Sequence, residues 1–254
     1  MKSRILFLST VFAAVSIVSA QSSHFSVFDK KKNPPAAGKV VDDPNSPTPE
    51  IHLAFDELNA GTTPNTGTSH IAIAVTGSGL VPGKIGKALD FSGEDCKITL
   101  GPVFSETISD IYTIALWVLS HDQQGYGMLF NSNGNFGVTL RLSGGGIDLN
   151  TGRTWHLMDA GANLIPREEW VHVAASSDGA TARLYVNGKL IQEKSVEGGI
   201  SMGATAEIGQ GGLLEAENGS MKPTQLLNAS IDDLRVYSKV LTDEQVANLA
   251  KSPK

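Results

Sequence analysis

The chain has 254 residues, of which 41% are hydrophobic, and a formal net charge of −6. That length and apolar content suit one large all-β domain, and there is no basic stripe to supply the long-range attraction to phosphates that nucleic-acid binding needs. Nucleic acid is therefore excluded as a partner, while the mild acidity suits a soluble surface or a bound cation.

The first twenty residues read as a leader. Lys2 and Arg4 form a positive start, Ile5 to Val18 is apolar, and Val18-Ser19-Ala20 places small residues where a signal peptidase cuts. This predicts a secretory signal over 1–20, cleaved after Ala20, and a secreted protein at the cell surface, in the periplasm or outside the cell. The alternative is an uncleaved anchor, for which the apolar run is short against a ~30 Å hydrocarbon core. No later segment reads as a membrane span. Residues 21–50 carry Lys30-Lys31-Lys32 and Pro34, Pro35, Pro44, Pro47 and Pro49 with few large apolar side chains, which predicts a flexible linker. The lysine triplet is either a solvated tether or an electrostatic contact to an anionic surface.

The domain is expected over 51–254. Ile51, Leu53 and Phe55 alternate with His52, Ala54 and Asp56, a strand ending in Asp56-Glu57. Gly83-Lys84-Ile85-Gly86-Lys87-Ala88-Leu89-Asp90-Phe91 follows, then Ile98-Thr99-Leu100. Tyr112 to Val118 is apolar on both faces and predicts an inner strand covered on each side. Met128–Phe130, Phe136–Leu142 and Gly146–Leu149 predict shorter strands separated by Gly and Asn. Trp170 to Lys194 predicts a three-stranded meander, because Asp178-Gly179 and Asn187-Gly188 supply tight turns. Its Val171, Val173 and Ala175 share one face, as do Leu184 and Val186, with His172, Arg183 and Tyr185 opposite. Ala229 to Tyr237 predicts a last strand. Thr242 with Gln245 is a capping box that opens a short terminal helix, and no earlier stretch has helical periodicity.

Four of these motifs stand in the order found in a known family. The Phe55-Asp56-Glu57 strand end, the Gly83 to Phe91 run, Trp170-Val171-His172-Val173-Ala174 with Leu184 to Lys189, and Ile231-Asp232-Asp233-Leu234-Arg235-Val236-Tyr237 resemble the laminin-G-like domains of the concanavalin A-like lectin/glucanase superfamily. The resemblance covers residues 51 to 250 and implies an all-β, two-sheet antiparallel jelly-roll sandwich. It also implies a structural calcium site where the first and last strands meet, which maps to Asp56 and Asp232 with Glu57 and Asp233 as neighbours. Asn65-Thr66-Gly67 stands where that family usually carries an Asp, which removes a charge and lowers the expected affinity. The alternative is that Asp56 and Asp232 only accept backbone hydrogen bonds or pair with Arg235 or a lysine.

Catalytic chemistry finds little support. Retaining glycoside hydrolysis needs two carboxyl groups roughly 5 Å apart, and the Glu-x-Asp-x-x-Glu pattern of the related glucanases is absent. Glu168-Glu169 and Asp232-Asp233 are adjacent and point apart in an extended chain. There is no Gly-x-Ser-x-Gly elbow, no His-Glu-x-x-His and no second Cys to pair with Cys96, which is expected to be buried beside Ile98 and Leu100, the alternative being a disulfide between chains. Asn218 and Asn228 begin glycosylation sequons. Trp117 and Trp170 sit inside predicted strands and read as core. Trp155, with Arg153 and His156, and Tyr126, between two glycines, read as loop residues, either ordinary surface side chains or ones that a sugar ring can stack on. The sequence thus predicts a secreted, non-catalytic module that binds carbohydrate. Adhesion to an extracellular protein is the alternative, and glycan processing a remoter one.

Overall fold

The computed structural model describes residues 46–102, 104–121, 125–132, 137–215 and 221–251. By its internal contacts the chain divides into Met1–Pro34 and Pro35–Lys254, and every described residue belongs to the second unit. The expected leader, the linker up to residue 45, and Asn218 lie outside the described residues.

Strands β1 (Ile51–Leu53), β2 (Ile73–Thr76), β3 (Gly79–Pro82), β4 (Lys87–Asp90) and β5 (Lys97–Leu100) precede a one-turn helix α1 (Phe104–Thr107). Then come β6 (Ile111–Ser120), β7 (Tyr126–Asn131), β8 (Val138–Ser143), β9 (Gly146–Thr151), β10 (Thr154–Asp159), β11 (Trp170–Asp178), β12 (Thr181–Val186) and β13 (Lys189–Ser195). The chain closes with β14 (Ala206–Ile208), β15 (Leu213–Glu215), β16 (Met221–Pro223), β17 (Ala229–Tyr237) and helix α2 (Asp243–Leu249). Helix α1 shows no periodicity in sequence because four residues are too few to display it.

Two antiparallel sheets make the sandwich. The large one runs β13-β12-β11-β6-β17-β4-β3, with β1 also on β17, and the small one runs β10-β9-β8-β7-β14-β5-β2. The predicted meander is β11-β12-β13, turned at Gly179 (φ 86°) and at Asn187-Gly188, where φ values of 49° and 74° need the residues that tolerate a left-handed backbone. Asn187 also ties the turn down, since its Oδ1 accepts from the His172 N–H at 3.0 Å.

Leu116, Val118, Val173 and Leu184 of the large sheet meet Phe130, Leu140, Ile147 and Leu149 of the small one in a single core. Each such side chain contributes roughly 1.5–3 kcal/mol by leaving water. Cys96 is a free thiol, 5% exposed, and packs in this core with Ile98 and Leu100. Strand β6 is apolar on both faces because its outer face is covered too. There Ala115 joins Ala174, Tyr185, Tyr237 and, from the C-terminal segment, Leu241 and Val246 of α2. Thr242 and Gln245 form the predicted capping box, and the Tyr185 hydroxyl donates to Asp243 at 3.0 Å.

The first strand is shorter than its alternation suggests. Phe55 adopts a φ of 56°, so the ladder ends at Leu53; the ring still enters the core at 1% exposure, and the chain turns Asp56 toward the β3–β4 loop.

Candidate functional site: two polar arrangements on the outer faces

The loop joining β3 and β4 lies against two carboxylates. Asp56 Oδ1 accepts from the Lys87 N–H at 2.9 Å, and Asp232 Oδ2 accepts from the Ile85 N–H at 2.8 Å. A Cβ on Gly83 would stand 2.7 Å from Asp232 Oδ2, and one on Gly86, whose φ is +61°, would collide with Asp56 Oδ1. The two glycines therefore let the backbone approach both carboxylates.

Asp232 is fully buried, and its Oδ1 has no hydrogen-bond partner among the described residues. Burial, with the nearby Asp233 and Asp56 carboxylates, pushes its pKa up to about 7 against the pull of the Ile85 and Asp233 backbone N–H groups. A buried carboxylate oxygen without a donor, beside a second carboxylate, fits the all-oxygen chemistry of a hard cation such as calcium. Among the described residues no three His, Cys, Asp or Glu side chains are grouped to hold a metal, so such an ion would need backbone carbonyls and water as well.

Asp233 is engaged elsewhere. The register shift on β17 between Asp232 and Arg235 separates the two neighbours, and Asp233 meets His52 Nε2 at 2.7 Å and Arg235 Nε at 3.1 Å. Burial opposes its ionisation, but the hydrogen bond from His52 and the Arg235 guanidinium together outweigh burial and hold its carboxyl below the usual range. Glu57 is exposed. Of the four carboxylates expected together, the structure sets Asp56 and Asp232 against one loop and turns Asp233 away.

The next row of this outer face is buried and polar. Trp117 pairs in register with both Asp232 and His172, the Lys84 ammonium lies 4.6 Å from the Trp117 ring, and the His172 ring meets its edge at 5.3 Å. Trp117 is thus buried as expected, though outside the sandwich core. Burial lowers the His172 pKa to about 4, only partly offset by Asp233.

The second arrangement lies on the outer face of the small sheet. Gly144 and Gly145, at φ 53° and 84°, make a two-residue turn that sets Arg141 opposite Asp148. Arg141 Nη2 donates to Asp148 Oδ2 at 2.6 Å with both side chains buried, and the guanidinium lies 4.1 Å from the Tyr126 ring. Tyr126 is 40% exposed. An aromatic plane open to solvent is therefore seated on a buried ion pair, and the cation beneath it adds about 0.5–2 kcal/mol to its orientation. Asn150 and Thr139 continue the same face, paired in register.

A laminin-G family model of the concanavalin A-like lectin/glucanases superfamily matches residues 92–247. The chain belongs to that superfamily. No curated protein matches it in sequence. Among solved structures it is similar to the binding domain of Paraclostridial Mosquitocidal Protein 1, with 17% identity, 81% of this chain and 52% of that one covered, and a TM-score of 0.63. It is also similar to domain 4 of AbnA, an extracellular GH43 arabinanase of Geobacillus stearothermophilus solved with arabinotriose (22%, 80% and 98%, TM-score 0.58). A third is the botulinum neurotoxin serotype D ligand-binding domain solved with N-acetylneuraminic acid (13%, 80% and 50%, TM-score 0.58). The chain spans about half the length of the two toxin domains, and at these identities the likeness is one of fold.

Within this concanavalin A-like frame the residues expected to stack on sugar are strand residues. Tyr126 opens β7, and Trp155 and His156 lie in β10 rather than in a loop. Arg153 stands in the β9–β10 turn, where its N–H donates to the Glu197 carbonyl at 3.1 Å and its side chain runs past Gly198. Tyr126 aligns through Ser143 with Gly146, whereas Arg153 follows Thr151, so the two stand at opposite ends of β9, roughly 17 Å apart at ~3.4 Å per residue. The structure does not bring them to one point. It adds Arg141 and Asp148, whose partnership was legible in principle from a Gly-Gly turn centred between two alternating strands.

Proposed function

We propose that this chain is an exported, non-catalytic carbohydrate-binding module, with the saccharide on the outer face of the small sheet and a calcium ion held by Asp56 and Asp232. The observation that carries the reading is the exposed Tyr126 ring seated on the buried Arg141–Asp148 pair. Sugar rings present C–H faces to such planes and hydroxyls to the polar groups around them. An extended oligosaccharide that starts on the Tyr126 ring and crosses above the buried strand β9 would reach β10, which carries Trp155. The arabinotriose and N-acetylneuraminic acid complexes of the similar domains support a saccharide as the ligand class. Export rests on the leader pattern over 1–20.

Glycan-array screening followed by titration tests the binding surface. A millimolar module has only about −4.1 kcal/mol to lose from, so removing a stacked ring worth ~0.5–1.5 kcal/mol in Tyr126→Ala or Trp155→Ala should weaken binding roughly two- to twelve-fold with the fold intact. Unchanged affinity in both variants would place the site elsewhere, and binding to proteins alone would favour an adhesive role. N-terminal sequencing of the exported protein should begin at Gln21; retention of Met1 to Ala20 would contradict the cleavage.

A further inference from the structure

The geometry points to a second saccharide site on the opposite side of the sandwich, in an open cleft of about 440 Å³ against the large sheet, lined by Trp170, His121, Asp90, Glu168, Ser92 and Ser230. It is separate from the Tyr126 face and does not depend on that face binding anything. The registers Trp170↔Leu119, Leu119↔Ser230 and Ser230↔Asp90 set these four side chains in one transverse row of the outer face. Trp170, expected in the core, is instead half-buried here, because the row lies beyond the part of the face that α2 covers.

His121 organises the polar side. Its backbone is tied to Asn228, whose carbonyl accepts the His121 N–H at 3.0 Å and whose Nδ2 donates to the His121 carbonyl at 3.3 Å. The ring Nδ1 meets Glu168 Oε1 at 3.0 Å, and Nε2 meets Ser230 Oγ at 3.0 Å and Asp90 Oδ1 at 3.3 Å. Ser92 Oγ donates to Asp90 Oδ2 at 2.5 Å. About a quarter of the His121 and Asp90 side chains and about half of Glu168 remain exposed, so the cluster is reachable.

Hydroxyl, imidazole and carboxylate groups line this cleft together with apolar surface from Trp170, Leu119 and Val81. Sugar hydroxyls both donate and accept, and a ring's C–H face can lie on the indole. A cationic ligand would have to compete with the imidazole for Asp90 Oδ1 and Glu168 Oε1, which already meet its two nitrogens. The order Ser230, His121, Glu168 is also that of a hydrolytic triad. Against this, Asp90 meets the same imidazole nitrogen, and the Ser230 hydroxyl also donates to Asp90 Oδ1 at 3.4 Å rather than being held for the imidazole alone.

The test uses the full mature chain labelled with 15N at tryptophan. The indole N–H resonance of Trp170, identified as the one absent from Trp170→Phe, is followed while arabinotriose, xylotriose, cellotriose and mannotriose are each added to about 10 mM, enough to saturate a millimolar site. At least one trisaccharide should move the resonance saturably. Its affinity should fall at least about five-fold in Asp90→Asn and in Glu168→Gln, and hold in Tyr126→Ala. Glu168 is exposed, so Glu168→Gln decides the matter if Asp90→Asn fails to fold. No movement with any of the four, or full affinity in the two carboxylate variants, would overturn the site. Movement only with Nα-acetyl-lysine amide would overturn it in favour of a cationic peptide, and a response lost in Tyr126→Ala would assign all binding to the first face.

Discussion

Asp148→Ala should lower the stability of the domain by about 3–5 kcal/mol, because it strands the Arg141 guanidinium in a buried site with its partner gone. Arg141 is poorly placed to compensate, since its Nε has no hydrogen-bond partner among the described residues and its other face is taken by the Tyr126 ring. For a domain of about 200 residues this corresponds to a melting point roughly 6–20 °C lower, and urea unfolding should show the same loss. The double variant Arg141→Met/Asp148→Leu should recover most of it, since replacing a buried pair by apolar side chains of similar volume is often neutral. If the Tyr126 face binds carbohydrate as proposed, the same double variant should still weaken that binding, because Tyr126 would no longer rest on a cation. A loss below about 1 kcal/mol in Asp148→Ala would mean that water reaches the pair and that the platform is not buried as described.

Calcium should raise the melting temperature by roughly 5–11 °C at one hundred times its dissociation constant, a gain of ~2.7 kcal/mol. At one fixed calcium concentration the increment should grow from pH 5 to pH 8, because the dissociation constant falls as the competing proton leaves. Without the ion, the folded state holds the Asp232 proton up to about pH 7, whereas an unfolded Asp releases it near 4. The stability this contributes is complete below about pH 4 and lost as the pH rises through 7, when an unshared charge is left beside Asp56. A cation at that oxygen replaces the proton, so it should help most where the proton has left. His172 titrates with the opposite sign, contributing fully above about pH 6.5 and losing its contribution as the pH falls toward 4, but it cancels when calcium and chelator are compared at one pH. Asp232→Asn should abolish the increment and should melt no lower than the chelated parent at pH 8. Superimposable melting curves in calcium and chelator across this range would remove the site from the proposal.

Much of the architecture is legible one strand at a time. The alternation of Val171, Val173 and Ala175, the turns at Gly179 and Asn187-Gly188, the doubly apolar β6 and the Thr242–Gln245 cap all act over a few residues, where side-chain period and turn chemistry have few competing solutions. The carboxylate corner is legible in part. Gly83 and Gly86 are visible as residues, but their reason, room for Asp232 and Asp56 against the same loop, depends on contacts 147 and 31 residues apart in sequence.

The sequence by itself determined the fold class, the strand order around its turns and the presence of acidic residues at both ends of the domain. Only the tertiary structure decided which of those acids share a place. A register shift on β17 sends Asp233 to His52 and leaves Asp232 with a buried oxygen lacking a donor, and no pattern in Ile231-Asp232-Asp233-Leu234 announces that shift. The same holds for the outer faces. Trp117 and Trp170 look alike as strand aromatics, yet a loop closes over one while a cleft opens beside the other, because what covers an outer face arrives from segments distant in the chain. Tyr126 and Arg153 were separated in the same way: strand register fixed their spacing at opposite ends of β9, where loop composition alone had grouped them.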